Sequence, residues 1–125
     1  MEKAENHEAV SIYNLDPDDQ EALLLEQKEC TLNWATQDDW PMGDSLSYIY
    51  RKGKVWITAG AHRHRISALR RNPKTSVVIT SKGTSMGPGK SITIKGKCQI
   101  HDDKTLKEWF YPEFARAIRN TTEEA

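Results

Sequence analysis

The chain has 125 residues, 37% of them hydrophobic, which suits one domain with one modest core, since folding at this size buries roughly two-thirds of the unfolded surface. Eighteen basic residues balance eighteen acidic ones, so no overall field draws the chain to nucleic acid or to a membrane surface. The longest apolar run, residues 22–25, is far short of the ~20 residues of a membrane span, and the amino-terminal MEKAENHEAV lacks a signal-peptide apolar stretch, so a cytoplasmic location is expected.

Residues 1–13 are mostly polar or charged without sustained periodicity, which is the composition of a disordered segment, and the folded domain is expected over 14–125. Asp16, Pro17, Asp18 and Asp19 read as an N-cap, a proline at the first helical position and an acidic first turn. They predict a helix over 17–28 whose Leu23, Leu24 and Leu25 form an apolar patch.

From Cys30 the pattern changes to short strands between turn residues, as a mainly β, α+β domain requires. The first strand is predicted over 30–36. Gln37, Asp38 and Asp39 form a turn, and Pro41 with Gly43 prolongs the connection past Trp40. A second strand, 44–51, joins a third, 54–58, through a tight Lys52-Gly53 hairpin turn, because glycine tolerates the positive φ such a turn demands. A short basic helix over 61–71 carries Ile66 and Leu69 on one face and stops before Pro73.

The β-branched run 75–80 predicts a buried strand, and residues 81–90 (SKGTSMGPGK) a glycine-rich irregular connection. Ile92, Ile94, Cys98 and Ile100 then alternate with Ser91, Thr93, Lys95, Lys97 and Gln99, the period of a long strand with one buried and one wet face. Asp102 or Asp103 caps a last helix carrying Leu106, Trp109, Phe110, Phe114 and Ile118, which Pro112 bends or restarts, and a polar tail follows Asn120. Cys30 and Cys98 stand in no CxxC or Cys/His cluster and read as reduced thiols without chemistry.

The segment that carries chemistry is 55–72, VWITAGAHRHRISALRRN, a strand that delivers a hydroxyl and then a basic helix start. Free N–H groups at the helix start, the Thr58 hydroxyl and the guanidinium groups of Arg63 and Arg65 can converge on one anion. His62 and His64, two apart, point to different helix faces and make poor joint metal ligands, so no metal site is expected. Asp38 with Asp39 and Asp102 with Asp103 read as a turn and a cap, and no Ser/His/Asp arrangement stands out, so no catalytic side chain is assigned. Arg63, Arg65, Arg70, Arg71 and Lys74 beside Trp56 could also form a basic stripe for nucleic acid, against which the zero net charge argues.

The order of strand, glycine turn, a strand ending in Ile57 and Thr58, a basic helix with Arg65, Leu69 and Arg70, then Asn72, Pro73 and the strand from Thr75, resembles the flavin-binding half of the pyridoxamine phosphate oxidase superfamily. The resemblance covers residues 30–100 and implies an FMN-binding split β-barrel. It implies a flavin phosphate held by Thr58, Ala59, Arg63, His64 and Arg65, with Arg65 standing where the family often has lysine. Ser45, Leu46 and Ser47 match the strand beside the isoalloxazine ring. Lys90 and Ser91 match the segment that reaches the flavin from the partner subunit, and Ser81 and Lys82 are further candidates.

The resemblance also implies a homodimer with the cofactor at the subunit interface, whose sheet face and apolar last helix, with Trp109, Phe110 and Phe114, need cover. The function it implies is an oxidoreductase that uses FMN or a deazaflavin to transfer hydride to or from a small substrate. A non-enzymatic flavin or haem carrier or stress protein is the alternative. The substrate-phosphate motif of the oxidase proper is not recognisable here, so vitamin B6 chemistry is not expected. The barrel strands that follow the last helix in the family are missing after Ala125, so the chain is either a fragment or a barrel that closes differently.

Overall fold

Asp16 caps the first helix as its sequence dictates: in a computed structural model of the chain, which describes residues 15–58, 64–101 and 104–124, its side chain accepts from the Asp19 N–H at 2.8 Å. Helix α1 (Pro17–Glu26) ends two residues before the expected boundary, at Gln27 in extended conformation. Of its three leucines Leu23 is fully buried, Leu24 is half-buried and Leu25 is exposed. Leu23 therefore belongs to the core and Leu24 packs against it, whereas Leu25 does not. The predicted disordered segment, residues 1–13, lies outside the described residues.

Strand β1 (Glu29–Ala35) pairs along its whole length with β2 (Pro41–Ser47), from Glu29 opposite Ser47 to Ala35 opposite Pro41. Pro41 and Gly43 thus belong to a strand and not to a prolonged connection. The turn before them is tighter than the composition suggests, because the Thr36 N–H donates to the Trp40 carbonyl at 2.9 Å and Asp39 adopts a φ of 66°. Proline is tolerated there because β2 is an edge strand.

The expected single strand over 44–51 is also broken, at Tyr48. The Tyr48 N–H donates to the Lys28 carbonyl and its hydroxyl to the Leu24 carbonyl at 2.7 Å, which turns the chain out of the first sheet. It continues as β3 (Ile49–Arg51), which pairs with β4 (Lys54–Trp56) in a separate two-stranded sheet. Lys52 and Gly53 both have positive φ, 57° and 72°, as the predicted hairpin turn requires.

Helix α2 (His64–Arg71) leads into β5 (Lys74–Thr80), and β6 (Ser91–Lys97) completes an antiparallel sheet of order β2-β1-β5-β6. The regular ladder of β6 stops at Lys97, short of the alternation that runs to Ile100, although the Cys98 N–H still donates to the Pro73 carbonyl. Helix α3 (Lys104–Glu124) carries through Pro112 and through the stretch expected as a tail. The capping candidates Asp102 and Asp103 lie outside the described residues.

Two apolar clusters result. Leu23, Cys30, Leu32, Tyr48, Leu69, Val77 and Ile79 fill the space between the large sheet, α1 and α2. Phe110 and Phe114 of α3 pack on Ile49, with Trp56 and Trp109 edge to face at 5.0 Å between ring centroids. Arg51 adds an ion pair to Glu113 of the same helix. The aromatic face of the last helix is thus covered within the chain, which corrects the expectation that a partner must cover it.

Candidate functional site

Residues directly opposite across antiparallel strands share a face, so the registers place Asp44, Leu32, Val77 and Ile94 in one row across all four strands of the large sheet. Three of the four are apolar and line a cavity of about 400 Å³ between this face, the β3–β4 hairpin, α2 and α3. Thr75 and Gly96 form the neighbouring row and also line it. A Cβ placed on Gly96 would meet nothing within 4 Å, so this glycine leaves the cavity floor open.

The fourth member of the row is the carboxylate. Asp44 Oδ2 accepts from Arg65 Nη1 at 2.9 Å, and Arg65 also faces the cavity. The Arg65 side chain is 8% exposed against 47% for that of Asp44, so the cation lies inside and its partner at the surface. Arg65 Nε has no hydrogen-bond partner among the described residues. A buried unpaired donor of a charged group is costly, and an incoming acceptor would relieve that cost. Arg65 reaches this place because it lies in the first turn of α2, one turn before the core residue Leu69.

Thr58, which follows β4, lines the same cavity with Arg65. Those two are the phosphate candidates that the fold brings together. Ala59 and Arg63 lie outside the described residues, and His64 is the first residue of α2. Leu46 is half-buried against the first apolar cluster, on the face that bears Asp44. Ser45 and Ser47 alternate with Leu46 and therefore face the other side of the sheet, as does Ser91 next to Ile92. The flavin-ring candidates are in this way divided between two faces.

Ser81 is fully buried, and its hydroxyl donates to the Gly87 carbonyl while accepting from the Lys90 N–H at 3.0 Å. Its backbone N–H donates to the Lys90 carbonyl, closing the glycine-rich segment into a loop. Gln27 donates to the carbonyls of Thr80 and Lys82, and Glu26 accepts from the N–H and hydroxyl of Ser85 at 2.7 and 2.8 Å. The Ser85 backbone bond, then its hydroxyl, hold the Glu26 carboxyl below its ordinary range. Lys82 and Lys90 stay exposed on this pinned loop, at the end of the sheet where Thr80 faces Ser91.

Burial pushes the Cys30 thiol up to about 11, with the nearby Glu29 charge adding to it, and burial likewise raises Cys98 on the cavity wall. Both thiols stay protonated near neutral pH and make weak nucleophiles. Among the described residues no group of three or more His, Cys, Asp or Glu could hold a metal ion. No described helix is long and apolar enough to cross a membrane.

A buried, incompletely satisfied arginine beside a strand-end threonine is the arrangement expected at an anion site, and the sequence over residues 17–124 matches the profile of the pyridoxamine 5′-phosphate oxidase family. The chain belongs to this family. Its fold is also similar to that of an FAD-binding protein from Mesorhizobium loti, with TM-score 0.67 and 20% identity over 87% of this chain and 77% of that one. An F420 reductase gives TM-score 0.65 and 14% identity over 78% of this chain and 74% of that one. A conserved hypothetical protein from Mycobacterium tuberculosis gives TM-score 0.66 and 17% identity over 74% of this chain. The chain spans only 57% of that mycobacterial structure. At these identities the likeness concerns the family's split-barrel fold, a mainly antiparallel α+β architecture with six strands and three helices among the described residues. No curated protein matches the sequence.

Sequence reasoning assigned no role to Asp44 or to Gly96. Asp44 stands two residues before the apolar Leu46, so the expected strand over 44–51 already puts it on the same face as Leu46. Nothing in the sequence alone marks Gly96 as an opening.

Proposed function

We propose that this member of the pyridoxamine 5′-phosphate oxidase family holds a phosphorylated flavin, FMN or a deazaflavin, and acts as an oxidoreductase on a small substrate. The observation that carries the reading is the pairing of Thr58 with Arg65, whose buried guanidinium keeps an unpartnered donor. The donor set fits the anionic end of such a cofactor. Arg65 supplies a permanent positive charge and Thr58 a hydroxyl, and among the described residues no Asp or Glu lines the cavity they share. Ser45, Ser47 and Ser91 lie on the outer sheet face, where a second subunit would bring its own copies, so the dimer belongs to the same reading.

Flavin supplies hydride chemistry at its ring when bound. The chain's own residues need only bind and orient. Arg65, fixed by Asp44, and Thr58 would set the phosphate end, and the absence of an assigned acid or base is consistent with chemistry carried by the cofactor.

The test is a fluorescence titration of the purified chain with FMN and with riboflavin, accompanied by absorption scans with a deazaflavin and with haem. FMN is expected to bind at least about tenfold more tightly than riboflavin, since hydrogen bonds to a charged phosphate each contribute roughly 1.5–3 kcal/mol. Thr58→Val should weaken FMN and leave riboflavin unchanged, and Arg65→Lys should retain the preference for FMN. Equal affinity for the two flavins would overturn the assignment of the phosphate site. Saturable haem binding without flavin binding would favour the carrier.

A further inference from the structure

The face of the large sheet turned away from the cavity has a chemistry of its own. Asn33, Ser76 and Lys95 stand opposite one another across β1, β5 and β6, and in the next row of the same face Lys74 stands opposite Lys97. These residues alternate with Leu32, Val77 and Ile94 of the cavity floor and therefore point the other way. One corner of the face thus holds Lys74 and Ser76 on β5 beside Lys97 and Lys95 on β6. The opposed lysines have Cα atoms about 5 Å apart, and Lys95 follows about 6.8 Å along the strand. Lys74, Lys95 and Lys97 are all exposed, and none forms an ion pair with a described residue. Glu29 is the acid that β1 brings to this face, and it lies four residues and two strand spacings from Lys95. That is on the order of 16 Å, about two Debye lengths at physiological salt.

Like charges directly opposite one another destabilise a sheet. Lysine also protects an exposed edge against unwanted pairing, which accounts for Lys95 and Lys97 on β6. It does not account for Lys74, because β5 is an interior strand. The Ser76 hydroxyl accepts from Asn33 Nδ2 and leaves its own proton to donate. Helices α1 and α2 pack on the cavity side through Leu23 and Leu69, and α3 packs on Ile49 of the hairpin, so no described helix covers this face. We propose that the lysine corner docks an extended acidic segment of a partner protein. An extended chain presents every second side chain on one side, at the same ~6.8 Å spacing as Lys95 and Lys97. Short side chains at Thr31, Asn33, Ser76 and Thr93 let its backbone come close. The face measures on the order of 15 by 20 Å, well short of the ~800 Å² per partner of a standard interface, which suits a segment rather than a folded domain. Its strand residues include no aromatic side chain on which nucleic-acid bases could stack. Ser45, Ser47 and Ser91 lie toward the other end of the face, so the corner is separate from the proposed dimer contact and does not depend on the flavin reading.

The full chain is titrated, by fluorescence anisotropy, with a labelled peptide of alternating Thr and Glu, with the same peptide carrying Gln in place of Glu, and with a labelled single-stranded oligonucleotide. The acidic peptide should bind saturably, about tenfold or more tighter than either control, and weaken as salt rises. The double variant Lys74→Gln/Lys97→Gln should weaken it about tenfold, two exposed contacts of about threefold each. Lys28→Gln/Lys104→Gln removes the same charge from exposed positions elsewhere and should leave binding unchanged. Lys97→Glu places a carboxylate opposite Lys74, so it should abolish binding while raising the urea midpoint. That pair of readouts separates lost docking from lost folding. Absence of saturable binding, equal binding of the Gln peptide, tighter binding of the oligonucleotide, or an equal loss in the two double variants would each overturn the proposal.

Discussion

Arg65 Nη1 lies 2.9 Å from Asp44 Oδ2, so the buried cation of α2 is already engaged by a carboxylate on the edge strand of the sheet. Asp44 orients the guanidinium and competes with any anion that approaches it. Asp44→Asn keeps the shape and removes the competing charge. The variant should bind FMN about two- to fivefold more tightly, the effect of a pair whose acidic member is half-exposed. It should also lose about 1 kcal/mol of stability, because the buried cation loses its counter-charge. Parallel flavin titration and urea denaturation check both signs, and a weaker FMN complex would show that Asp44 helps the anion site rather than opposing it.

Gly43 faces Asn33 on the opposite side of the sheet, and a Cβ there would meet Asn33 Oδ1 at 2.6 Å. Asn33 cannot turn away freely, since its Nδ2 donates to Ser76 Oγ at 3.1 Å on the next strand. Gly43→Ala should therefore cost about 1–2 kcal/mol, the hydrogen bond or its equivalent in strain. In an Asn33→Ala background the same substitution should cost almost nothing. A double-mutant cycle by urea denaturation measures the coupling, and additive losses would refute the contact.

The helix cap at Asp16, the Lys52-Gly53 turn and the alternation of β6 were readable because each depends on residues a few positions apart. The break at Tyr48 was not, since it is fixed by bonds to Lys28 and Leu24, some twenty residues away. Taking Pro41 and Gly43 as loop formers hid three residues of β2, although Asp44, two positions from Leu46, already shared its face within the expected strand. The phosphate corner was legible as a pair, Thr58 and Arg65, because a strand end and a helix start are local features. That Arg65 is buried against a carboxylate on another strand, and that Ser45 and Ser47 face away from it, depends on sheet registers that no local pattern encodes.

The pinned loop makes a pH prediction. Contacts to Ser85 depress the Glu26 pKa below 4.5, so the folded state prefers the ionised form. The contribution is present above the ordinary carboxylate value and is lost as pH falls through the depressed one. The protection factor of the Ser85 amide, corrected for the intrinsic pH dependence of exchange, should therefore fall on acidification below the ordinary carboxylate range, before those of the core amides of β1 and β5. Glu26→Gln should show fast Ser85 exchange already at neutral pH. Equal protection of Ser85 in variant and wild type would mean that the Ser81 bonds alone hold the loop.

At the alkaline end the sign reverses. Cys30 is raised from 9.0 to about 11 by burial, so the folded state favours the neutral thiol. That preference is fully expressed below the unfolded value of 9.0 and fades as pH rises through about 11. Tyr48, buried beside it and shifted upward by burial first and by Cys30 second, loses stability in the same direction at higher pH. Cys30→Ala should flatten the fall of stability between these two values and leave of the Tyr48 part only what burial causes, without the share due to Cys30. Near neutral pH a thiol reagent should modify Cys98, which lines the cavity, well before Cys30, which is 3% exposed. Two-phase labelling kinetics in that order, followed by mass analysis of the modified residue, supports the packing. Cys30 reacting first would mean that the contact between β1 and Tyr48 opens more readily than the cavity wall.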